Sequence, residues 1–169
     1  MFTTSVSQRG AKGPDQHSKA SSRVALIIGC GRAKVWKKKP WLGPTKARDA
    51  YVGPLFRACR RYAEAFYANN WFILSAKYGF LNPDTLICNY DTTFASRGAV
   101  GTIPDDQLRT QFANTLMEYD VIVSLAGSAY NSRLAGFLLD KHTLKLPLAA
   151  LPLFDRMKWL KRAVLNKGV

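Results

Sequence analysis

At 169 residues, 47% hydrophobic and 12% aromatic, the chain is long enough for one domain with an ordinary core, which argues against wholesale disorder. Lys and Arg total 25 against 11 Asp and Glu, a formal charge of +14 that argues for a polyanionic partner, most simply nucleic acid, with DNA first, or a nucleotide. No long apolar span or lipidation pattern supports a membrane as that partner.

Cys30, Cys59 and Cys88 are widely spaced, no CxxC pair occurs, and His17 and His142 lie far apart, so neither a metal site nor a cofactor is expected. The first apolar run begins only at Val24. No secretory signal is read before it, and a cytoplasmic protein with reduced thiols is expected.

Residues 1–23 are rich in Ser, Gly, Lys and Gln and hold almost no large apolar side chains. Such a segment cannot bury enough surface to offset its ordering entropy, so a flexible basic arm is predicted, with a single α/β domain over residues 24–169. Residues 24–29 (VALIIG) are a continuous apolar run ended by glycine, the mark of a strand buried on both faces. Cys30, Gly31, Arg32 and Lys34 follow, then Lys37, Lys38 and Lys39: a Gly-flanked cationic turn suited to phosphate, or simply a solvated basic loop. Neither GxxxxGK[ST] nor GxGxxG is present.

Pro54 suits a first helical position, and Leu55, Ala58, Cys59, Tyr62, Ala65 and Phe66 form an apolar stripe that Asn69 and Asn70 close. The strand 71–74 (WFIL) follows, breaking into Ser75, Ala76, Lys77, Tyr78 and Gly79. A patternless loop is read over 95–102, a helix from Pro104 through Met117 with Asp105 and Asp106 at its start, and a buried strand over 120–125. A helix over about 130–139, an edge strand over 144–148 and a basic helix over 152–165 complete the pattern. The alternation predicts a three-layer α/β/α sandwich with a mostly parallel sheet of four or five strands.

In such a fold the carboxyl ends of the main strands share one edge, so residues 30–34, 75–79 and 124–128 are expected to form a pocket. No histidine lies near these loops, which disfavours acyl transfer by a Ser-His or Cys-His pair. Carboxylates, cations and phenols remain, a mixture suited to the N-glycosidic bond of a phosphorylated ligand. Asp49 and Asp91 are the catalytic candidates. Arg32, Lys34, Arg48 and Lys77 are assigned to phosphate, and Tyr78 and Tyr90 to packing on a base, with Tyr51, Ser75, Gly79, Ala126 and Gly127 completing the wall. Each has a plainer role available. Asp49 can pair with a neighbouring cation or cap a helix, Asp91 can make an Asx turn, and Lys77 can extend to solvent. Cys30 can be a small buried residue, and both tyrosines can be rim packing.

The turn from Ile28 to Lys34, the segment Lys46 to Tyr51 with Pro54-Leu55-Phe56, the segment Leu74 to Phe80, Tyr90-Asp91, and Leu125-Ala126-Gly127 with Tyr130 together resemble the DUF6884 family. The likeness runs from about residue 24 to 159, with LSAKYGF its most specific part. More distantly, this part resembles the peroxide-stress YaaA proteins and the uracil-DNA-glycosylase-like domain of archaeosine transglycosylases. The sequence departs from the family pattern where Gly29 replaces a usual Ser and where Arg32-Ala33-Lys34 interrupts a lysine run. The resemblance implies an α/β/α fold, Rossmann-like or uracil-DNA-glycosylase-like, and nucleobase or modified-DNA chemistry. The expected function is therefore glycosylase-like cleavage or exchange of an N-glycosidic bond on nucleic acid. A noncatalytic basic DNA-binding or inhibitor protein is the rival reading, and a nucleotide-sensing module in phage or host defence is a third.

Overall fold

The computed structural model describes residues 22–94 and 101–167. The arm expected over 1–23 therefore lies outside the described residues except for Ser22 and Arg23, as does most of the loop expected over 95–102.

Strand β1 (Val24–Gly29) runs through the middle of the sheet, parallel to β3 (Trp71–Ser75) on one side and β6 (Val121–Ser124) on the other. Its alternation explains the layers. Leu26 and Ile28 enter one core with Phe56 and Ala63 of α2 (Pro54–Phe66) and Leu160 of α5 (Leu153–Asn166). Ala25 and Ile27 enter the other core with Leu108 and Phe112 of α3 (Asp105–Thr115) and Leu134 of α4 (Ser128–Ala135). Helices thus cover both faces, which is why the strands read as unbroken apolar runs.

The five-stranded sheet has the order β4-β3-β1-β6-β7, where β7 (Thr143–Lys145) is parallel to β6 and β4 (Gly79–Leu81) is antiparallel to β3. The chain moves one way from β1 to reach β3 and the other way to reach β6. The reversal falls at the carboxyl end of β1, where a crevice opens in sheets of this kind.

Several local expectations need correction. The polar stretch after residue 74 is a tight turn into β4, and Ser75 ends the strand rather than beginning a loop. Gly79 has φ of 76°, and Gln111 of α3 bonds both sides of the turn: its Oε1 accepts from the Phe80 N–H at 2.8 Å and its Nε2 donates to the Tyr78 carbonyl at 3.1 Å. A two-stranded sheet, β2 (Thr45–Lys46) against β5 (Leu86–Ile87), and the one-turn α1 (Ala47–Ala50) were not foreseen, because elements this short carry no periodicity. On α2 the sheet takes Phe56 and Ala63, whereas the expected stripe member Phe66 stays exposed and Tyr62 packs on Trp159 of α5, ring centroids 5.4 Å apart. Two different neighbours share that helix, so one stripe does not describe it.

Candidate functional site

Two adjoining cavities open at the carboxyl edge of the sheet. The first, ≈ 380 Å³, is lined by Gly29 at the end of β1 and Cys30 to Ala33 after it, Leu125 to Gly127 after β6, and Gly53 and Pro54 at the start of α2. Gly53 caps α2 and Gly127 caps α4, and neither offers a side chain to the free N–H groups behind it. Among the described residues no side chain caps the N–H groups of Leu55 and Phe56 behind Pro54, or those of Ser128 and Ala129, at this cavity, a favourable environment for an anion. Cys30 lies on its wall with its Sγ 3.1 Å from the Tyr130 Oη.

The second cavity, ≈ 560 Å³, is lined by Arg32, Ala33, Lys34, Lys37, Asn89, Tyr90 and Asp91, and shares Arg32 and Ala33 with the first. Lys34 is only 7% exposed and forms no ion pair among the described residues. Its Nζ sits 4.1 Å from the centre of the Tyr90 ring. Burial pushes the amine's pKa down, while Cys30 and then Asp91 hold it partly up.

Tyr90 is a strut rather than an open platform. It is buried, with Lys34 over its face, Tyr78 against it edge-on at 5.4 Å and Tyr51 edge-on at 6.5 Å. Its hydroxyl lies 2.9 Å from Ser75 Oγ and 2.7 Å from Tyr51 Oη. Ser75 Oγ already accepts from the N–H groups of Lys77 and Tyr78, so its own proton points to Tyr90. Burial, reinforced by Cys30 and by Tyr51, drives the Tyr90 pKa far up, so the phenol stays neutral. The base-stacking role expected of Tyr90 is thus unavailable on the face that Lys34 covers. Tyr78 is half-buried, with its hydroxyl donating to the Cys88 carbonyl at 3.3 Å.

The predicted residues divide accordingly. Cys30, Gly31, Arg32, Ala126 and Gly127 line the first cavity; Arg32, Lys34, Tyr90 and Asp91 line the second. Tyr51 and Ser75 are buried behind Tyr90, and Gly79 is buried under Gln111. Lys77 is exposed, its Nζ 5.8 Å from the Tyr90 ring centre.

Arg48 and Asp49 lie elsewhere. Asp49 is ion-paired to Arg60 at 2.7 Å, and Arg48 pairs with Asp84 and lines a separate cavity with Glu64 and Trp71, the first residue of β3. The opposite charges of α1, α2 and the 82–84 turn satisfy one another there, so the two residues tie α1 to α2 and to the strand's amino end. Lys37, Asn89, Gly53 and Tyr130 were not assigned to the site. Asn89 and Tyr130 adjoin named motifs and Lys37 belongs to the lysine run, but sequence distance hid their convergence.

Among the described residues no helix is long and apolar enough to cross a membrane. The chain is 40% identical over 126 residues, 73% of its length and 83% of the relative's, to "Uncharacterized protein YfjM" of Bacillus subtilis (strain 168). The family described as "Family of unknown function (DUF6884)" matches residues 24–162. With the match running from the first strand into the last helix, the chain belongs to the DUF6884 family.

Proposed function

We propose that the chain cleaves or exchanges the N-glycosidic bond of a nucleobase carried on a nucleotide or on DNA. The observation that carries this reading is the juxtaposition in one cavity of Asp91 and the buried Lys34, which has no ion pair among the described residues, next to a second cavity framed by two helix starts that no described side chain caps. Breaking the bond between C1′ and the base nitrogen develops positive charge on the sugar and negative charge on the base. A carboxylate and an ammonium on one wall match that separation. Asp91 stabilises the sugar cation and takes a proton from the water that adds to C1′. The bonding pair leaves with the base, which takes a proton from Lys34. Phosphate rests at the helix starts, with Arg32 between the two cavities.

Base release or exchange is measured with nucleotides and with modified and unmodified oligonucleotides. Asp91→Asn is expected to lose about 10²- to 10⁴-fold in rate while keeping ligand affinity. Asp49→Asn is expected to keep the rate. No release or exchange from any substrate, or an unchanged Asp91→Asn rate, would remove the reading.

The net charge of +14 favours the noncatalytic rival, a nucleic-acid-binding protein that uses the fold as a scaffold. That rival predicts strongly salt-dependent DNA binding that survives Asp91→Asn and Lys34→Met together, with no turnover.

A further inference from the structure

From Arg32 to Lys46 the chain holds Arg32, Lys34, Lys37, Lys38, Lys39 and Lys46 and no carboxylate. Of these, only Lys46 forms an ion pair among the described residues, to Asp84 at 2.9 Å. In the middle of the stretch stands Trp41, which is 79% exposed, followed by Leu42 at 37%. An aromatic side chain this exposed adds little apolar burial to the fold.

The loop that carries it is built to project. Trp36, 3% exposed, anchors the base and donates its indole N–H to the Gly43 carbonyl at 3.2 Å. The Lys39 N–H bonds the Val35 carbonyl and the Leu42 N–H bonds the Lys39 carbonyl, both at 3.0 Å. Pro40 and Pro44 further limit the backbone on either side of Trp41. The indole is therefore presented on a closed, stiffened loop, which lowers the ordering cost of binding. Lys37, on the same loop, lines the cavity that contains Lys34 and Asp91. Trp41 is four positions further along the chain, so their Cα atoms are at most about 14 Å apart.

We infer that residues 37–44 are a nucleic-acid stacking loop: Trp41 takes the face of an unpaired base while Lys37, Lys38 and Lys39 take the flanking phosphates. Aromatic rings flanked by unpaired cations are the recurring means of holding single-stranded nucleic acid. The inference rests on the proposed nucleobase chemistry for its biological sense, because such chemistry needs a base outside the stack, and Trp41 fits a base step opened beside the cavity. It commits the ligand to a polymer, where a free nucleotide would need no such loop.

The test uses the full chain carrying Asp91→Asn, so that binding is read without turnover, and oligothymidylate as the probe. Its affinity is compared for Trp41 intact, Trp41→Phe and Trp41→Ala. Tryptophan fluorescence follows contact, the Trp41→Phe signal being subtracted to isolate Trp41. Expected are quenching on binding, a loss of about 5- to 150-fold in Trp41→Ala, and recovery of much of that loss in Trp41→Phe. The exposed position makes misfolding of these variants easy to exclude by circular dichroism. Equal affinity with and without the ring overturns the inference. So does oligothymidylate failing to bind while phosphatidylserine vesicles bind through Trp41, or self-association that Trp41→Ala abolishes. If Trp41 proves inert while Asp91-dependent base release is found, the loop inference fails and the proposed chemistry stands; Trp41-dependent binding without base release gives the reverse.

Discussion

Ser75, Tyr90 and Tyr51 hold three hydroxyls in succession behind the cavity wall, and their burial makes the protein sensitive to alkali. Tyr90→Phe removes the shared middle group and leaves Ser75 and Tyr51 each short of a partner, a loss of about 1–3 kcal/mol at neutral pH. Burial raises the pKa of Tyr51, Tyr90 and Tyr130 above the usual phenol value, and pushes the Cys59 thiol up to about 12. Above the ordinary thiol and phenol values the unfolded chain has released these protons and the folded chain still holds them. Stability is therefore fully present below about pH 9 and falls as pH rises, by about 1.4 kcal/mol per pH unit for each such group. Lys34, whose amine is pushed down, contributes in the opposite direction in its own window, but it is one group against these four and the phenols of Tyr62, Tyr67 and Tyr119, which burial also raises. Urea midpoints between about pH 8 and 11 are expected to fall steeply for the wild type and less steeply for Tyr90→Phe. A flat profile, or identical slopes, would mean that these phenols ionise inside the fold.

The hairpin of β3 and β4 shows how one element positions the site. Gly79 occupies the left-handed region, and a Cβ there would come within 1.9 Å of Gln111 Oε1 and 2.8 Å of Ile103 Cδ1. Gly79→Ala is thus expected to cost about 2–4 kcal/mol, from the backbone penalty plus displacement of the Gln111 clamp, measured by urea unfolding. Gln111→Ala should lose about 1–3 kcal/mol by stranding the Phe80 N–H and the Tyr78 carbonyl. Runs such as VALIIG and WFIL are legible because unbroken apolar segments of that length, bounded by Gly or Asn, must be buried on both faces. Their shared carboxyl edge follows from topology rules, and Cys30 to Ala33 and Leu125 to Gly127 do line one cavity there, whereas Lys34 lines the second and residues 75–79, expected to share the pocket, line neither because they turn into β4. The Arg60 partner of Asp49 is supplied by packing of α1 on α2, which no local pattern records. The hairpin was hidden because β4 is three residues long and its register is set from a distance by Gln111 of α3.

At the scale of the molecule, exposed cations among the described residues gather at the loop of Lys37 to Lys39 and on α5 at Lys158, Lys161 and Arg162. The α5 cations line neither cavity at the carboxyl edge, and that helix packs on α2. Neutralising three cations at either place changes the net charge equally, so any diffuse, long-range attraction is weakened to a similar degree. Direct phosphate contacts differ, because only cations that touch the backbone release counterions, and exposed charges farther away than about 10 Å are screened at 0.1 M salt. Lys37, Lys38 and Lys39 changed together to Ala are therefore expected to reduce the slope of log Kobs against log salt by up to about 2 on a single strand. The matched change of Lys158, Lys161 and Arg162 should leave that slope nearly intact. Salt titrations of oligonucleotide binding read both directly. If the α5 variant loses the slope and the loop variant keeps it, the polyanion lies across the α2 and α5 layer, and the carboxyl-edge cavities are not where nucleic acid is held.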